Sequence, residues 1–417
     1  MKAEIIAVGS ELLTPTRLDT NSLYLTEQLN RLGIEVARKV VVGDQRNQIR
    51  DAFGEALGRV ELVVSTGGLG PTEDDLTREA VAELLGRKLQ RNDALLRDIE
   101  ARFRRIGRQM PEVNARQAMV PEGAQVLENS HGTAPGLWME TDGHIIILLP
   151  GPPPELKAVF SEQVEPRLAK RTSGLRLFRR ELRVAGMAES EVEQRIAPIY
   201  TRYTDAETTL LASPGEIQVH LRVWSRNATA AEKLLDEMVE RIVLALGENV
   251  FTTKGESLEE VVARQLTLDG ATIAVAESCT GGLLAERLTS IPGSSSYFLG
   301  GVVCYSNELK SAWVDVPAEL IAAKGAVSVE VARALAQGIR QRSGSTLGLG
   351  VTGIAGPGGG SPEKPVGTVH IALAEPSRSK EHSIRFAGDR DRIRWQASQT
   401  ALDMIRRYFL HTSQSKG

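Results

Sequence analysis

Two α/β domains joined by a small α+β module are the multi-domain architecture that this sequence predicts. Three observations lead there. A chain of 417 residues is too long for one ordinary core. Its first and last stretches alternate strand-like and helix-like segments, the pattern of a parallel sheet covered on both faces. Between them lies a shorter segment whose strands and helices fit a separate small module. The expected domains are residues 1–170, a linker or dimerisation module at 171–252, and residues 253–417.

The elements follow in order. Residues 3–8 (AEIIAV) read as a buried strand, and Asp19-Thr20-Asn21-Ser22 supplies N-cap chemistry for a helix ending at Gly33. Residues 34–42 read as a strand, 45–58 as a helix and 60–65 as a strand. A turn with Gly67, Gly68 and Gly70 comes next, then helical periodicity from about residue 75. Strand 145–149 is closed by Pro150-Gly151-Pro152-Pro153-Pro154. A break falls near 170–178. In the middle module, 180–186, 207–212 and 217–224 read as strands, and 189–196 and 228–246 as helices. Arg222 and Arg226 there admit a nucleic-acid surface, but a spacer or dimerisation role is preferred. The third unit reads as helix 256–267, strands 271–276 and 299–305, helix 328–342, strands 346–352 and 366–374, and helix 391–409.

Composition narrows the function. Aromatic residues make up 4 % and the formal net charge is −3, which argues against a base-stacking platform and a general phosphate-backbone binder. No nucleic-acid partner is expected. No apolar run is long enough to span a bilayer, and MKAEIIAVGSELL runs into a strand without a cleavable hydrophobic segment. With only Cys279 and Cys304, the chain suits a reducing compartment, and a cytoplasmic location without membrane partners is expected. No Cys/His group has structural-zinc spacing.

The first chemistry-bearing loop is Ser65-Thr66-Gly67-Gly68-Leu69-Gly70-Pro71-Thr72-Glu73-Asp74-Asp75, between a strand and a helix. Glycines let a ligand approach the backbone, and a helix N-terminus offers N–H groups to phosphate. The three acids suit either a hard cation bridging to a diphosphate or a simple helix cap. The length of the glycine run favours a ligand. Gly9-Ser10-Glu11, Asp19-Thr20-Asn21, Gly132-Thr133-Ala134-Pro135-Gly136 and Pro150-Gly151-Pro152-Pro153 fall at neighbouring positions of the pattern. Together, TGGLGPTEDD, GSELL, DTNS and LPGPPPEL resemble the molybdopterin-binding-like N-terminal domain of the CinA (competence/damage-inducible) family. That resemblance implies metal-dependent hydrolysis of ADP-ribose to AMP and ribose 5-phosphate, with Mg, Mn or Co. Asp74 and Asp75 are the foremost metal-side candidates, followed by Glu11 and Asp19. Gly9, Ser10, Asn21, Gly67, Gly68, Gly70, Thr72 and Gly151 are the expected ligand contacts. Thr14-Pro15-Thr16-Arg17 departs from the family, which often has a glycine-containing stretch there.

The last unit carries AESCTGG (276–282), PGSSS (292–296), Tyr305-Ser306-Asn307-Glu308-Leu309-Lys310, GIAGP (353–357), EKPVGTV (363–369) and Gly388-Asp389-Arg390. Occurring together and in this order over residues 256–410, these blocks resemble the nicotinamide mononucleotide (NMN) deamidase domain of the CinA and PncC families. The resemblance implies conversion of NMN to nicotinic acid mononucleotide and ammonia through an acyl-enzyme, with no cofactor. Amide hydrolysis needs a nucleophile, a base and oxyanion donors. None of the six histidines falls in the blocks quoted, which leaves Lys310 as base. Burial or a neighbouring cation such as Arg390 would lower its pKa into a useful range. A Ser–Lys pair is a coherent design, and the resemblance implies it.

Ser295 and Ser278 compete for the nucleophile, with Ser295 favoured. Cys279 reads as a small buried thiol. Tyr305 and Asn307 are expected to orient the carboxamide or the lysine, and Thr352 and Gly353 to meet the ribose or the oxyanion. Arg390 is expected to pair with the substrate phosphate, against the alternative of an ion pair to Asp389, Asp391 or a nearby helix. Glu277, Thr280 and Gly281 complete the expected contacts. The G-x-G-x-x-G at 348–353 runs into a glycine/proline loop rather than a helix, so no dinucleotide fingerprint is read there. A homodimer is expected. Two alternatives stand beside the bifunctional enzyme: a deamidase with a non-catalytic nucleotide- or pterin-binding N-terminal domain, and a non-enzymatic competence-related partner protein.

Overall fold

The computed structural model describes residues 1–172 and 174–414, with side chains through Thr412. The chain forms two compact units, residues 1–178 with 224–230, and 179–223 with 231 onward.

In the first unit the strands are β1 (Lys2–Val8), β2 (Glu35–Val42), β3 (Leu62–Thr66), β4 (Leu89–Arg91), β5 (Met119–Pro121), β6 (Gln125–Leu127), β7 (Gly136–Thr141) and β8 (His144–Leu149). Six of them make one sheet in the order β2-β1-β3-β8-β7-β6. β1, β2, β3 and β8 are parallel, as the alternation predicts. β7 and β6 are antiparallel additions that the reading as a parallel sheet did not include. The hairpin joining β7 to β8 turns on Asp142 and Gly143, both at positive φ, and an Asp-Gly pair is a hairpin signal in its own right. Ala3, Ile5, Leu62, Val64, Ile145 and Ile147 fill one face of the sheet, while Ile6, Val63, Ile146 and Leu148 fill the other. Both faces are therefore covered, and the strand ends are left as the natural ligand edge.

The second unit holds two sheets. β9 (Arg176–Ala185), β10 (Ala206–Ser213), β11 (Glu216–Ser225) and β12 (Val250–Thr252) form the small one, in the order β10-β11-β9-β12. β13 (Ile273–Glu277), β14 (Phe298–Val303), β15 (Leu347–Gly353), β16 (Thr368–Ala374) and β17 (Ser379–Arg385) form the large one, in the order β14-β13-β15-β16-β17. β14 and β15 flank β13 in parallel, and β16 and β17 are antiparallel. Ile273, Val275, Leu349, Val351, Ile371 and Leu373 pack with Val262, Leu266, Ala397 and Leu402 from helices Leu258–Leu268 and Arg390–Gln414. A reciprocal Ser257/Glu260 capping box starts the first of these helices. β17 and the helices Asn307–Val314 and Ala318–Lys324 were not expected. β17 is mostly polar and the two helices are only eight and seven residues long, so their hydrophobic periodicity is weak. No helix among the described residues is long and apolar enough to cross a membrane.

Candidate active sites

The parallel strands β1, β3 and β8 end together, and the loops that follow them enclose a cavity of ≈ 690 Å³. Gly9, Glu11, Asp19, Asn21, Gly67, Gly68, Gly70, Thr72, Asp74, Asp75 and Gly151 all line it. Two glycines are sterically required. A Cβ on Gly67 (φ 98°) would collide with the Val8 carbonyl, and one on Gly68 (φ 68°) with the Thr77 hydroxyl. The Asn21 amide donates to Thr66 Oγ1 (2.9 Å) and to the Gly151 carbonyl (2.7 Å), tying three loops together. Its own Oδ1 is buried without a partner, an acceptor left facing that junction.

Several expected contacts are committed elsewhere. The Ser10 amide donates to Asp44 and its hydroxyl accepts from the Asp44 amide, so Ser10 belongs to the loop scaffold and not to the cavity lining. Asp19 caps helix Thr20–Arg31 through Ser22 N (2.9 Å). Asp75 accepts from both the amide and the hydroxyl of Thr72. A Thr72 hydrogen bond holds Asp74 below the usual carboxylate range, so Asp74 is a firm anion. Among the described residues no three His, Cys, Asp or Glu side chains converge as a ready metal cage. Magnesium-type ions are commonly held by one or two carboxylates together with substrate phosphates, and Asp74 with Asp75 fits that pattern.

Arg78 was missed by the sequence reading. It is fully buried, donates to the Leu69 and Gly70 carbonyls, and makes no ion pair among the described residues. A cation thus sits directly beneath the glycine turn. The available signal was the turn itself, whose inward carbonyls need donors.

The second site is at the carboxyl ends of β14, β13 and β15. The Ser278 amide donates to the Val351 carbonyl (3.0 Å) and the Cys304 amide to the Glu277 carbonyl (2.9 Å). These bonds put Ser278, Thr352 and Tyr305 on one ledge. The Ser278 Oγ has no hydrogen-bond partner among the described residues and is not sealed from solvent. Lys310 is 2 % exposed. Its Nζ donates to the carbonyls of Cys304 (3.0 Å), Tyr305 (3.0 Å) and Ser306 (3.5 Å). Burial pushes its pKa below the ordinary lysine value.

Arg390 donates to the Tyr305 hydroxyl (3.1 Å) and the Gly356 carbonyl (2.8 Å), and pairs with no carboxylate among the described residues. Asp389 instead caps the Arg392 amide, and Asp391 pairs with Arg394. Arg394, also missed, holds the Thr280 carbonyl with two donors. Gly281 and Gly282 take positive φ in this turn, and the Thr280 hydroxyl is buried without a partner. Asn307 is exposed at the start of its helix. The Thr352 hydroxyl proton goes to the Ala326 carbonyl (2.8 Å), and Gly353 packs closely on Thr368 and Val369.

Two expectations need correcting. Ser295 cannot pair with Lys310 within one chain. Phe298 aligns with Ile273 and Val303 with Glu277, and Ile273 N bonds the Tyr297 carbonyl. The Ser294–Ser296 turn is therefore at the amino ends of these strands, whereas Cys304 and Lys310 are at the carboxyl ends, roughly 13 Å along the strand axis. Glu277 is no substrate contact. It is 1 % exposed and accepts from the amides of Gly282 (3.0 Å), Leu284 (3.1 Å) and Ala285 (2.8 Å). Its carboxylate occupies the N-terminus of helix Leu283–Thr289, where a phosphate would otherwise sit. Cys279 behaves as expected of a packing thiol: it is buried, and desolvation pushes its pKa up to about 12. Both cysteines are free.

Three stretches of the chain match known protein families. Residues 4–170 match the family model for a probable molybdopterin binding domain, 179–252 that of the damage-inducible protein CinA KH domain, and 255–409 that of the CinA C-terminal domain. A CinA-like protein of Koribacter versatilis is 50 % identical over 411 residues, covering 98 % of this chain and 99 % of that one. A CinA-like protein of Acidobacterium capsulatum is 52 % identical over 411 residues, with the same coverage. A solved CinA structure from Thermoplasma acidophilum is 35 % identical, spans 40 % of this chain and 97 % of its own, and has a TM-score of 0.38. With relatives matching at half of all positions along nearly its whole length, the chain belongs to the CinA family.

Proposed function

We propose that the C-terminal domain hydrolyses the carboxamide of NMN, with Ser278 as nucleophile and Lys310 as the proton-transfer group. The observation that carries this reading is the unpartnered Ser278 Oγ on the same strand-end ledge as a buried lysine and an arginine free of carboxylates. A neutral Lys310 amine has two N–H donors, enough for the two carbonyls at 3.0 Å. Its lone pair replaces the weak 3.5 Å contact and accepts the serine proton. Ser278 Oγ bonds to the carboxamide carbon, the C–N bond breaks, and the proton leaves with ammonia. Water then cleaves the ester to nicotinic acid mononucleotide. Arg390, steadied by Tyr305, meets the 5′-phosphate bidentately.

The N-terminal domain is assigned metal-dependent hydrolysis of ADP-ribose. A divalent ion there neutralises diphosphate charge. Asp74 and Asp75 are its holders, Glu11 and Asp19 secondary, while the Arg78-backed glycine turn receives the phosphates. The middle module is assigned a structural or dimerisation role: residues 179–252 contain no G-x-x-G loop of the kind that clamps a nucleic-acid backbone. A homodimer and a cytoplasmic location belong to the same proposal.

The test is an assay of the full chain with NMN and with ADP-ribose, each with and without chelator. Ammonia release from NMN is expected to survive chelation, and AMP release from ADP-ribose to stop. No ammonia from NMN in either condition overturns the deamidase assignment.

A further inference from the structure

Helix Arg390–Gln414 brings Arg390 to the second site, and its placement is tied to a buried cluster outside that site. Arg390, Arg394 and Ser398 are spaced four apart and so share one side of the helix. Arg390 meets Tyr305, Arg394 holds the Thr280 carbonyl, and Ser398 Oγ accepts from Arg287 Nη1 (2.7 Å). The Ser398 hydroxyl proton goes to the Trp395 carbonyl (2.8 Å), which leaves its lone pairs to the arginine. Arg287, on helix Leu283–Thr289, is buried. Its Nη2 donates to Gln399 Oε1 (2.5 Å), its Nε to Glu259 (2.6 Å), and its guanidinium lies 4.2 Å from the centre of the Trp395 ring. One planar fork thus joins helices Leu258–Leu268, Leu283–Thr289 and Arg390–Gln414. The cluster continues into the small sheet. Gln399 Nε2 donates to Glu216 (3.2 Å), which opens β11 just past the turn at Gly215, and a Cβ on Gly215 would stand 3.0 Å from Gln399 Cγ.

We infer that Arg287 is a positioning residue of the deamidase site. It sets the register of helix Arg390–Gln414 so that Arg390 meets the substrate phosphate, and Glu216 of the middle module steadies it through Gln399. The inference rests on the deamidase reading above. The two ends of that site are anchored differently. Ser278 follows β13, bonds to the Val351 carbonyl, and adjoins Glu277, whose carboxylate is held by three amides. Arg390 is carried by the first turn of a helix whose inward residues include the small Ala397 and Ala401. Direction-specific contacts at Arg394 and at the Arg287 cluster set the register of that helix. A slip of one residue would move Arg390 by roughly 1.5 Å along the axis. Such a shift spoils a bidentate phosphate contact and leaves the serine and the lysine in place. The ion pair to Glu259 joins only the first two helices. The neutral partners Ser398 and Gln399 attach the third. Loss of their hydrogen bonds therefore acts on substrate binding and little on the chemical step.

Full-length Arg287→Lys keeps a charge beside Glu259 and gives up the fork to Ser398 and Gln399. It is expected to raise KM for NMN about fivefold with kcat within about twofold of wild type. Combined with Arg390→Ala it is expected to raise KM no further, because both act on one phosphate contact. An unchanged KM, an equal loss in kcat, or an additive double variant overturns the inference. Gln399→Leu leaves the Arg287–Glu259 pair whole and answers the case in which Arg287→Lys fails to fold. It is expected to raise KM about threefold, and an unchanged KM there overturns the inference as well. Glu216→Ala is expected to raise KM about twofold, and an unchanged KM overturns the part given to the middle module. Amide hydrogen exchange reads the helix without turnover. The first two turns of helix Arg390–Gln414 are expected to exchange about tenfold faster in Arg287→Lys, with residues 402–409 unaffected, and unchanged exchange overturns the inference. A wild-type chain that releases no ammonia from NMN removes the deamidase reading and the phosphate role with it. Faster exchange in the variant would then leave the clamp on the helix standing.

Discussion

The two sites use the same edge of the same kind of sheet and solve different problems. In the N-terminal cavity, β1, β3 and β8 open into glycine-rich loops, and the lining is acidic, with Asp74 held ionised. At the C-terminal ledge the strand ends are tightly closed. Glu277 seals one helix terminus, Arg394 braces the turn, and burial depresses the lysine. The difference teaches that a parallel strand end supplies position only. Loop glycines and acids shape one as an open acidic cavity, and a buried lysine amine sets the other apart.

Substitutions break this contrast selectively. Lys310→Met should lower NMN turnover by about 10²–10⁴-fold, the ordinary worth of a positioned general base, while AMP release from ADP-ribose is unchanged. Loss of both activities would show that the lysine supports the whole fold. In the wild type the base must be neutral. The kcat/KM for NMN should therefore rise with pH and level off below the ordinary lysine value of about 10.4. A profile flat from pH 5 to 10 (roughly the span within which a depressed lysine titrates) would remove Lys310 from proton transfer.

Gly67→Ala forces a side chain against the Val8 carbonyl at positive φ. It should cost about 1–3 kcal/mol of stability, read by denaturant unfolding of the first unit, and reduce ADP-ribose turnover alone. Glu277→Gln removes the negative charge from three amide contacts and should cost about 1–3 kcal/mol in the second unit. Arg390→Ala should raise KM for NMN about tenfold with a smaller change in kcat, because the phosphate is remote from the breaking bond. An equal loss in both constants would place Arg390 in the chemical step.

Much of this was legible in the sequence, for identifiable reasons. Long periodic segments such as Ala228–Leu246 and the buried runs at Leu62–Thr66 and Leu347–Gly353 carry their own pattern. Asp19 announced its helix as an N-cap. What escaped was non-local. β7 depends on pairing with β8, and β17 is polar because it is a protected edge. Spacing in sequence put Ser295 close to Lys310, but a strand runs between them and carries one to each end of the sheet. Glu277 looked like a ligand contact beside the glycine turn, and only the fold shows its oxygens filled by backbone amides. Arg78 gave no motif, since its role is set by carbonyls folded over it.

The central claim is that the reacting serine is Ser278. Ammonia release from saturating NMN by full-length Ser278→Ala and Ser295→Ala chains tests it most directly. The account predicts loss of turnover in Ser278→Ala to the uncatalysed background, and retained turnover in Ser295→Ala. Near-normal turnover in Ser278→Ala, with abolition in Ser295→Ala, would contradict it.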